Sequence, residues 1–308
     1  MIVFLNPAAG GGTALKKWSQ IRDELPSSGE GIEICSLADP AELALIVADA
    51  VARGETRLVA AGGDGTVHHL LNTLMMLPLD IRKQAILGAV GLGSSNDFHK
   101  PFVNSHLLRG VPLHIDFEHP CLRDVGVVEV TSNGHTVRRC FLINASIGLT
   151  AEGNRFFNSP DSMLGWLKKH NTALAILYAS VNSIFRHKND LVRLHLVDGE
   201  PWQLSLTNLG VVKNPHFSGS LRYDLPIDYT SGTFGICVAT DLGLLQRLRL
   251  LLSLSHGRFP RNNNAWVKSS SALTIEADND FPVEVDGEIL LGGTASFSII
   301  PQGIKVCS

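Results

Sequence analysis

Three glycine-rich stretches, each closing a short apolar and β-prone run, carry the residue types best suited to holding an anion. The first is Asn6-Pro7-Ala8-Ala9-Gly10-Gly11-Gly12-Thr13. Consecutive glycines let main-chain amides approach a phosphate, and a following helix adds the positive end of its dipole. The stretch lacks the G-K-[ST] ending of a Walker loop and the spacing of a dinucleotide fingerprint, and a flexible turn has the same composition. The second, Gly62-Gly63-Asp64-Gly65-Thr66, is more specific because three glycines surround one carboxylate. Asp64 there can align a nucleophilic hydroxyl or a magnesium ion. Asp64 and Thr66 can also cap the helix that follows, but capping does not call for three glycines. The third, Gly91-Leu92-Gly93-Ser94-Ser95-Asn96-Asp97, offers two hydroxyls, an amide and a carboxylate to a ribose, a base edge or a phosphate. Eight of the twelve glycines in the first 100 residues fall in these stretches, and their clustering points to phosphate contact.

The elements that must position these loops follow from hydrophobic periodicity. Strands are predicted at 2–5, 32–35, 57–61 and 85–90, with amphipathic helices at 14–25, 40–53 and 67–77 between them. Such alternation makes a doubly wound parallel sheet, whose ligands bind beyond the carboxyl ends of the strands. All three loops lie at strand ends. From about residue 112 the chain reads instead as short strands, with turn signals at Asn133-Gly134, Asp198-Gly199 and Asp286-Gly287. Helical stretches interrupt it at 161–185 and 242–255. The expected organisation is an α/β domain over 1–120 and a β-rich domain over 121–308, with the last strand a candidate to return to the first domain.

Composition excludes several classes. A net charge of −3 with 18% charged residues argues against a dedicated nucleic-acid binder, and no apolar run approaches the roughly 18 residues of a membrane span. The N-terminus reads as a buried strand and not as a signal peptide. Five scattered cysteines without a C-x-x-C pair fit reduced core thiols and a cytoplasmic setting. The first 120 residues hold 9 basic and 13 acidic residues, the remainder 17 and 16. Between 242 and 268 stand Arg247, Arg249, Arg258, Arg261 and Lys268 with no acid; this is either a solvated face or a surface that meets anionic headgroups. The apolar residues of 161–185, including Met163, Leu164, Trp166 and Leu174, read first as a core stripe.

In order and spacing the three loops, with Asn72 after the second and Phe98 after the third, resemble the diacylglycerol kinase catalytic domain family. That family includes sphingosine and ceramide kinases and the bacterial YegS-like lipid kinases. Near the C-terminus Val285-Asp286-Gly287-Glu288 resembles its Asp-Gly-Glu motif; read from the residues alone, the same stretch is a hairpin turn with a solvated Glu. The resemblance implies an α/β nucleotide-binding domain and a β-sandwich domain, with the active site in the cleft between them. It implies ATP and Mg2+ as cofactors and a lipid hydroxyl as acceptor at a membrane surface, the enzyme being cytoplasmic or peripheral at the inner face. Gly62, Gly63, Asp64, Gly65, Thr66, Val67, His68 and Ser94 would hold ATP, with Asn6, Gly10, Gly11, Gly12, Asn96 and Asp97 of the flanking loops beside them. Ser36 matches a nucleotide-contacting threonine, Glu288 the proton acceptor, and Asp64 the residue that activates the lipid hydroxyl or arranges magnesium.

The chain departs from the family pattern in places. His68-His69 replace a common Asn-Glu. Adjacent helix residues diverge by about 100°, so the pair cannot chelate one ion. Gly91 replaces a frequent proline and Ser94 a frequent threonine. A turn that seats a structural magnesium in the family has Ser231 in place of its Asp, so that either Asp228 substitutes as the ligand or this accessory metal is absent. Two other functions remain open: a kinase of a soluble acceptor, since the Gly62 loop also resembles that of NAD kinases, and a non-catalytic nucleotide or lipid binder.

Overall fold

The computed structural model describes residues 1–25, 33–36, 40–197 and 199–308. They divide into two compact units, 1–124 with 302–308, and 125–301.

The first unit alternates β1 (Ile2–Leu5), α1 (Ala14–Ile21), β2 (Glu33–Ser36), α2 (Pro40–Ala52), β3 (Arg57–Gly62), α3 (Asp64–Met76), the short α4 (Leu79–Arg82) and β4 (Ile86–Gly91), then adds β5 (Leu107–Leu108) and β6 (Val111–His114). β1 is buried at every residue, as a strand covered on both faces must be. α1 buries Ala14, Trp18 and Ile21, a helical spacing, against Val3, Leu5, Val59, Ala61 and Val90. The parallel strands run β2-β1-β3-β4. The order reverses between β1 and β3, and a sheet of this order opens its ligand crevice at that reversal. β6 pairs antiparallel with the end of β4, and Lys305–Val306 pairs parallel with its start.

The second unit is built on antiparallel strands. These are β7 (Cys121–Ser132), β8 (His135–Phe141), β9 (Asn144–Gly148), β10 (Asp190–Leu196), β11 (Trp202–Val212), β12 (His216–Phe217), β13 (Leu221–Arg222), β14 (Phe234–Thr240), β15 (Ala265–Ser270), β16 (Ala272–Val285) and β17 (Glu288–Val306). β9 and β10 share the slot between β11 and β16, each pairing with a different half of those long strands. Their inward residues, among them Val128, Phe141, Ile147, Val192, Leu209, Phe234, Val283 and Phe297, form one apolar cluster. Four helices belong to this unit: α5 (Leu149–Phe157), α6 (Ser162–His170), α7 (Thr172–Arg186) and α8 (Leu244–Ser255).

Several local expectations meet the structure. Asn133 and Gly134 both take positive φ (51° and 79°) and turn β7 into β8, as a two-residue hairpin of that type requires. Asp198 lies outside the described residues. The single helix expected over 161–185 is two, because Asn171 adopts extended backbone and its side chain accepts the Leu174 amide as the N-cap of α7. α5 was not expected, since Gly153 stands at its centre and reads as a break.

Candidate active site

The loops after β1, β3 and β4 interlock. The Asn6 amide donates to Ala61 O at 2.9 Å, carrying the chain from β1 onto β3, and Asn6 Nδ2 donates to Thr66 Oγ1 at 3.2 Å. Leu92 and Gly93 both donate to Gly62 O, at 2.7 and 3.1 Å. Asp64 Oδ1 accepts the Phe98 amide at 2.9 Å, tying the first turn of α3 to a 3₁₀ turn over Asp97–His99. Lys17 Nζ reaches Leu92 O and Gly93 O at 3.5 and 3.4 Å.

The glycines serve two purposes, which corrects the reading that all eight meet phosphate. A Cβ on Gly62 falls 2.1 Å from Thr66 Oγ1, one on Gly93 2.4 Å from Gly63 Cα, and one on Gly91 2.6 Å from Pro112 Cγ. A Cβ on Gly10 falls 2.6 Å from Leu92 O. These four are glycine because the loops pack on themselves, on one another and on β6 without room for a side chain. Gly11, Gly12 and Gly65 face open space. Gly11 and Gly12 hold positive φ of 66° and 88°, whereas Gly65 lies inside α3. They and Ser94 are exposed, so a phosphate can reach them without moving protein atoms.

Other expected ligands turn inward. Thr66 lies in the first turn of α3 and does not cap it; Gly63 is the N-cap and offers no side chain, so the helix leaves its leading amides to an outside acceptor. Asn96 is buried in the left-handed region (φ 50°). Its Oδ1 accepts the Gly93 amide at 3.0 Å, and its Nδ2 donates to Gly91 O and Gly93 O. The Asp97 carboxylate, 5% exposed, pairs with Lys100 Nζ at 2.8 Å. Both residues fold the third loop and do not present their side chains to a ligand. Val67 and His68 are buried as well, and His68 Nε2 lies 3.2 Å from Asn72 Nδ2. This corrects the expectation that the His68 ring meets the nucleotide. Ser36 closes β2 in register with Leu5, and its side chain lies outside the described residues.

In the second unit Asp286 and Gly287 take positive φ (46° and 95°) and join β16 to β17. The stretch is therefore a hairpin turn, as its residues alone read, yet Asp286 does more than turn. Its buried carboxylate accepts the amides of Leu142, Ile143 and Asn144 at 3.0 to 3.1 Å. Beside it Glu284 accepts Ser146 Oγ and the Gly287 amide. This fixed turn presents Glu288, whose two oxygens are held by Arg139 Nε and Nη2 at 2.9 and 3.2 Å. Glu288 is not a solvated strand residue but a partly exposed carboxylate in a bidentate pair.

Among the described residues no group of three or more His, Cys, Asp or Glu is arranged to hold a metal. A magnesium ion in phosphoryl transfer needs only one or two carboxylates, its remaining ligands being water and substrate phosphate. Half-buried Asp64, beside the open Gly65, meets that requirement. Asp228 is the poorer site: its Oδ1 accepts from Thr230 N and Oγ1 at 2.7 and 2.8 Å, and a cation of the chain, Lys213 Nζ, already occupies its main-chain oxygen.

The basic run of 242–268 also resolves differently from its sequence. Arg247 is buried and donates to Leu242 O, His187 O and Asn189 Oδ1, capping the end of α7. Arg261 pairs with Asp224, and Lys268 lies 4.1 Å over the Trp202 ring. Three of the five charges are therefore committed within the unit. Sequence reasoning missed Lys17, Arg139 and Lys213. Only Lys213 leaves a signal, as a lone cation ending the apolar run of β11.

Residues 1–121 match the sequence profile of the diacylglycerol kinase catalytic domain. Proteins named probable lipid kinase YegS-like, from Yersinia pestis and Yersinia pseudotuberculosis, are 25% identical over 266 residues, covering 84% of this chain and 81% of theirs. A Bacillus anthracis diacylglycerol kinase shares the fold over 99% of this chain and 95% of its own, with a TM-score of 0.67 at 16% identity. A second Bacillus anthracis protein named for the same class covers 99% and 96% with a TM-score of 0.73 at 19% identity; at such identities the likeness speaks to fold alone. Described from its loops and matched by its sequence, the chain is similar, through residues 1–121, to the diacylglycerol kinase catalytic domain family.

Proposed function

We propose that the chain is an ATP-dependent kinase that phosphorylates the hydroxyl of a lipid, with diacylglycerol or a related lipid as acceptor. The observation that carries this reading is the set of interlocked loops at the sheet reversal, which keeps Gly11, Gly12, Gly65 and Ser94 exposed while Gly62, Gly91, Gly93, Asn96 and Asp97 pack inward. When bound, ATP supplies the phosphoryl group and Mg2+ offsets its charge. The amides of Gly11 and Gly65 hold the phosphates, Gly12, whose own amide donates to Ala8 O, leaves room for them, and the Ser94 hydroxyl adds a donor. Asp64, fixed by the Phe98 amide, offers a carboxylate to the metal or to the attacking hydroxyl. Glu288 accepts the hydroxyl proton, and Arg139 keeps its carboxylate in one orientation. In this reading the first unit is the nucleotide-binding domain and the second the acceptor domain.

A lipid acceptor is supported by the names of the Yersinia relatives and by one surface of the second unit. Met163 and Trp166 on α6, with Leu174, Leu177 and Phe185 on α7, are each half or more exposed. No acid occurs between residues 162 and 189, whereas Lys168, Lys169, Arg186 and Lys188 do. Exposed apolar side chains among cations suit the headgroup region of an anionic bilayer, and this surface replaces 242–268 as the proposed point of contact. No described helix is long and apolar enough to cross a membrane.

The test is an acceptor panel with γ-labelled ATP and magnesium. Diacylglycerol, a sphingoid base, ceramide and a polyprenol are presented in anionic and in zwitterionic vesicles, with NAD as the soluble acceptor. Label is expected in a lipid, and faster from anionic vesicles. Label in NAD alone would assign a soluble acceptor, and tight ATP binding without transfer would assign a binding protein.

A further inference from the structure

The loop over 228–233 is where the family resemblance calls for a structural divalent cation, and the residues present do not fit one. Such an ion needs about six oxygens with at least one carboxylate among them. Ser231 stands where the resemblance puts that carboxylate, and its Oγ bonds within the loop, to Asp228 O and Thr233 Oγ1 at 3.3 and 3.0 Å. The remaining carboxylate, Asp228, is turned back onto Thr230 N and Oγ1. The main-chain oxygens that converge here are already met by a cation of the chain itself. Lys213, directly after β11, is 1% exposed, and its Nζ donates to Thr233 O at 2.9 Å and Asp228 O at 3.1 Å. Its own backbone is fixed from behind, the Lys213 and Asn214 amides both donating to Ile143 O at 2.9 and 2.7 Å.

We propose that the Lys213 ammonium takes the place of a bound metal in the 228–233 loop, so that the second unit holds this loop without any divalent cation. A buried ammonium is tolerated only when its donors are met, and carbonyl oxygens at the end of a loop meet them as they would meet a metal. The arrangement also excludes the ion it replaces. A divalent cation drawn to Asp228 O and Thr233 O would sit about one hydrogen-bond length from a fixed positive charge, where repulsion in a poorly solvated site is severe. The inference concerns the second unit alone and does not rest on the proposed kinase activity.

Thermal unfolding and hydrogen exchange of the full chain, without nucleotide, test it. In wild type, the melting temperature and the exchange protection of 228–233 are expected to be the same in EDTA as in millimolar magnesium or calcium. Lys213→Met is expected to lose several degrees in melting temperature and at least tenfold of the protection in that loop. The double variant Lys213→Met, Ser231→Asp is expected to recover both on addition of magnesium. A wild-type loop whose protection rises tenfold with magnesium would overturn the inference, as would a Lys213→Met chain with unchanged protection. Should Lys213→Met fail to fold, the wild-type metal titration decides alone.

Discussion

Gly65 separates two demands that glycine meets in this molecule. Gly62, Gly91 and Gly93 are fixed by neighbours that a Cβ would strike, so their substitution tests packing and not function. Gly65 has nothing within 4 Å of a Cβ and sits in α3, where alanine is the better helix former by about 0.5–1 kcal/mol. Gly65→Ala is therefore expected to raise thermal stability slightly while weakening ATP binding tenfold or more, because the methyl group enters the space given to phosphate. Calorimetric unfolding and ATP titration of the same preparation check both halves; unchanged ATP affinity would remove Gly65 from the site. Both roles were written in one sequence pattern. The clustering of glycine marks a crowded turn, but which glycines face outward depends on contacts with Thr66, with Gly63 of another loop and with Pro112 of β6. Likewise Asp286-Gly287 announces a turn, whereas its carboxylate serving three amides of 142–144 is a contact across more than 140 residues.

At the scale of elements, the third loop is braced from behind by a histidine pair that titrates below its ordinary range. Burial pushes His114, on β6, down to about 4, helped by the nearby charge of Arg123. Burial likewise holds His99, in the 3₁₀ turn, well below the usual value, with His114 and Arg123 adding to the effect; the two rings are 4.9 Å apart. For such a group the unfolded chain takes up its proton first as pH falls, so stability is whole above about 6.5 and is lost between there and 4. For His114 the loss is on the order of 3 kcal/mol. Urea unfolding of the wild type is expected to show this decline, and His114→Gln to show a smaller one. A decline of equal size in the variant would assign it to other groups. Elements were otherwise the most legible level. The strands and helices around the three loops follow from simple periodicity, and the errors have local causes: an asparagine cap at Asn171 that splits one expected helix, and Gly153 hiding another.

For the whole molecule, the chain leaves its first unit after Asp124 and returns at Gln302, where that residue's amide donates to Asp124 Oδ1. Strand β17 thus begins with Glu288 in the second unit and ends in register with β4 of the first. Sequence patterns report the strand but not the partner at its far end, because β-prone residues suit either unit. The charge pattern misled for the same reason. Arg247, Arg261 and Lys268 count as surface charge until their carbonyl, carboxylate and aromatic partners are known, and it is the acid-free α6 and α7 that combine cations with exposed apolar side chains. The central claim is that these parts transfer phosphate to a lipid, with Glu288 taking the proton. Its most direct measurement is the rate at which γ-labelled phosphate from ATP enters the organic-extractable fraction of anionic vesicles, compared between wild type and Glu288→Gln. The account predicts magnesium-dependent labelling by wild type, and in the variant a rate lower by about 10²–10⁴-fold with ATP affinity and melting temperature preserved. Labelling by Glu288→Gln at the wild-type rate, or none by either protein, would contradict it.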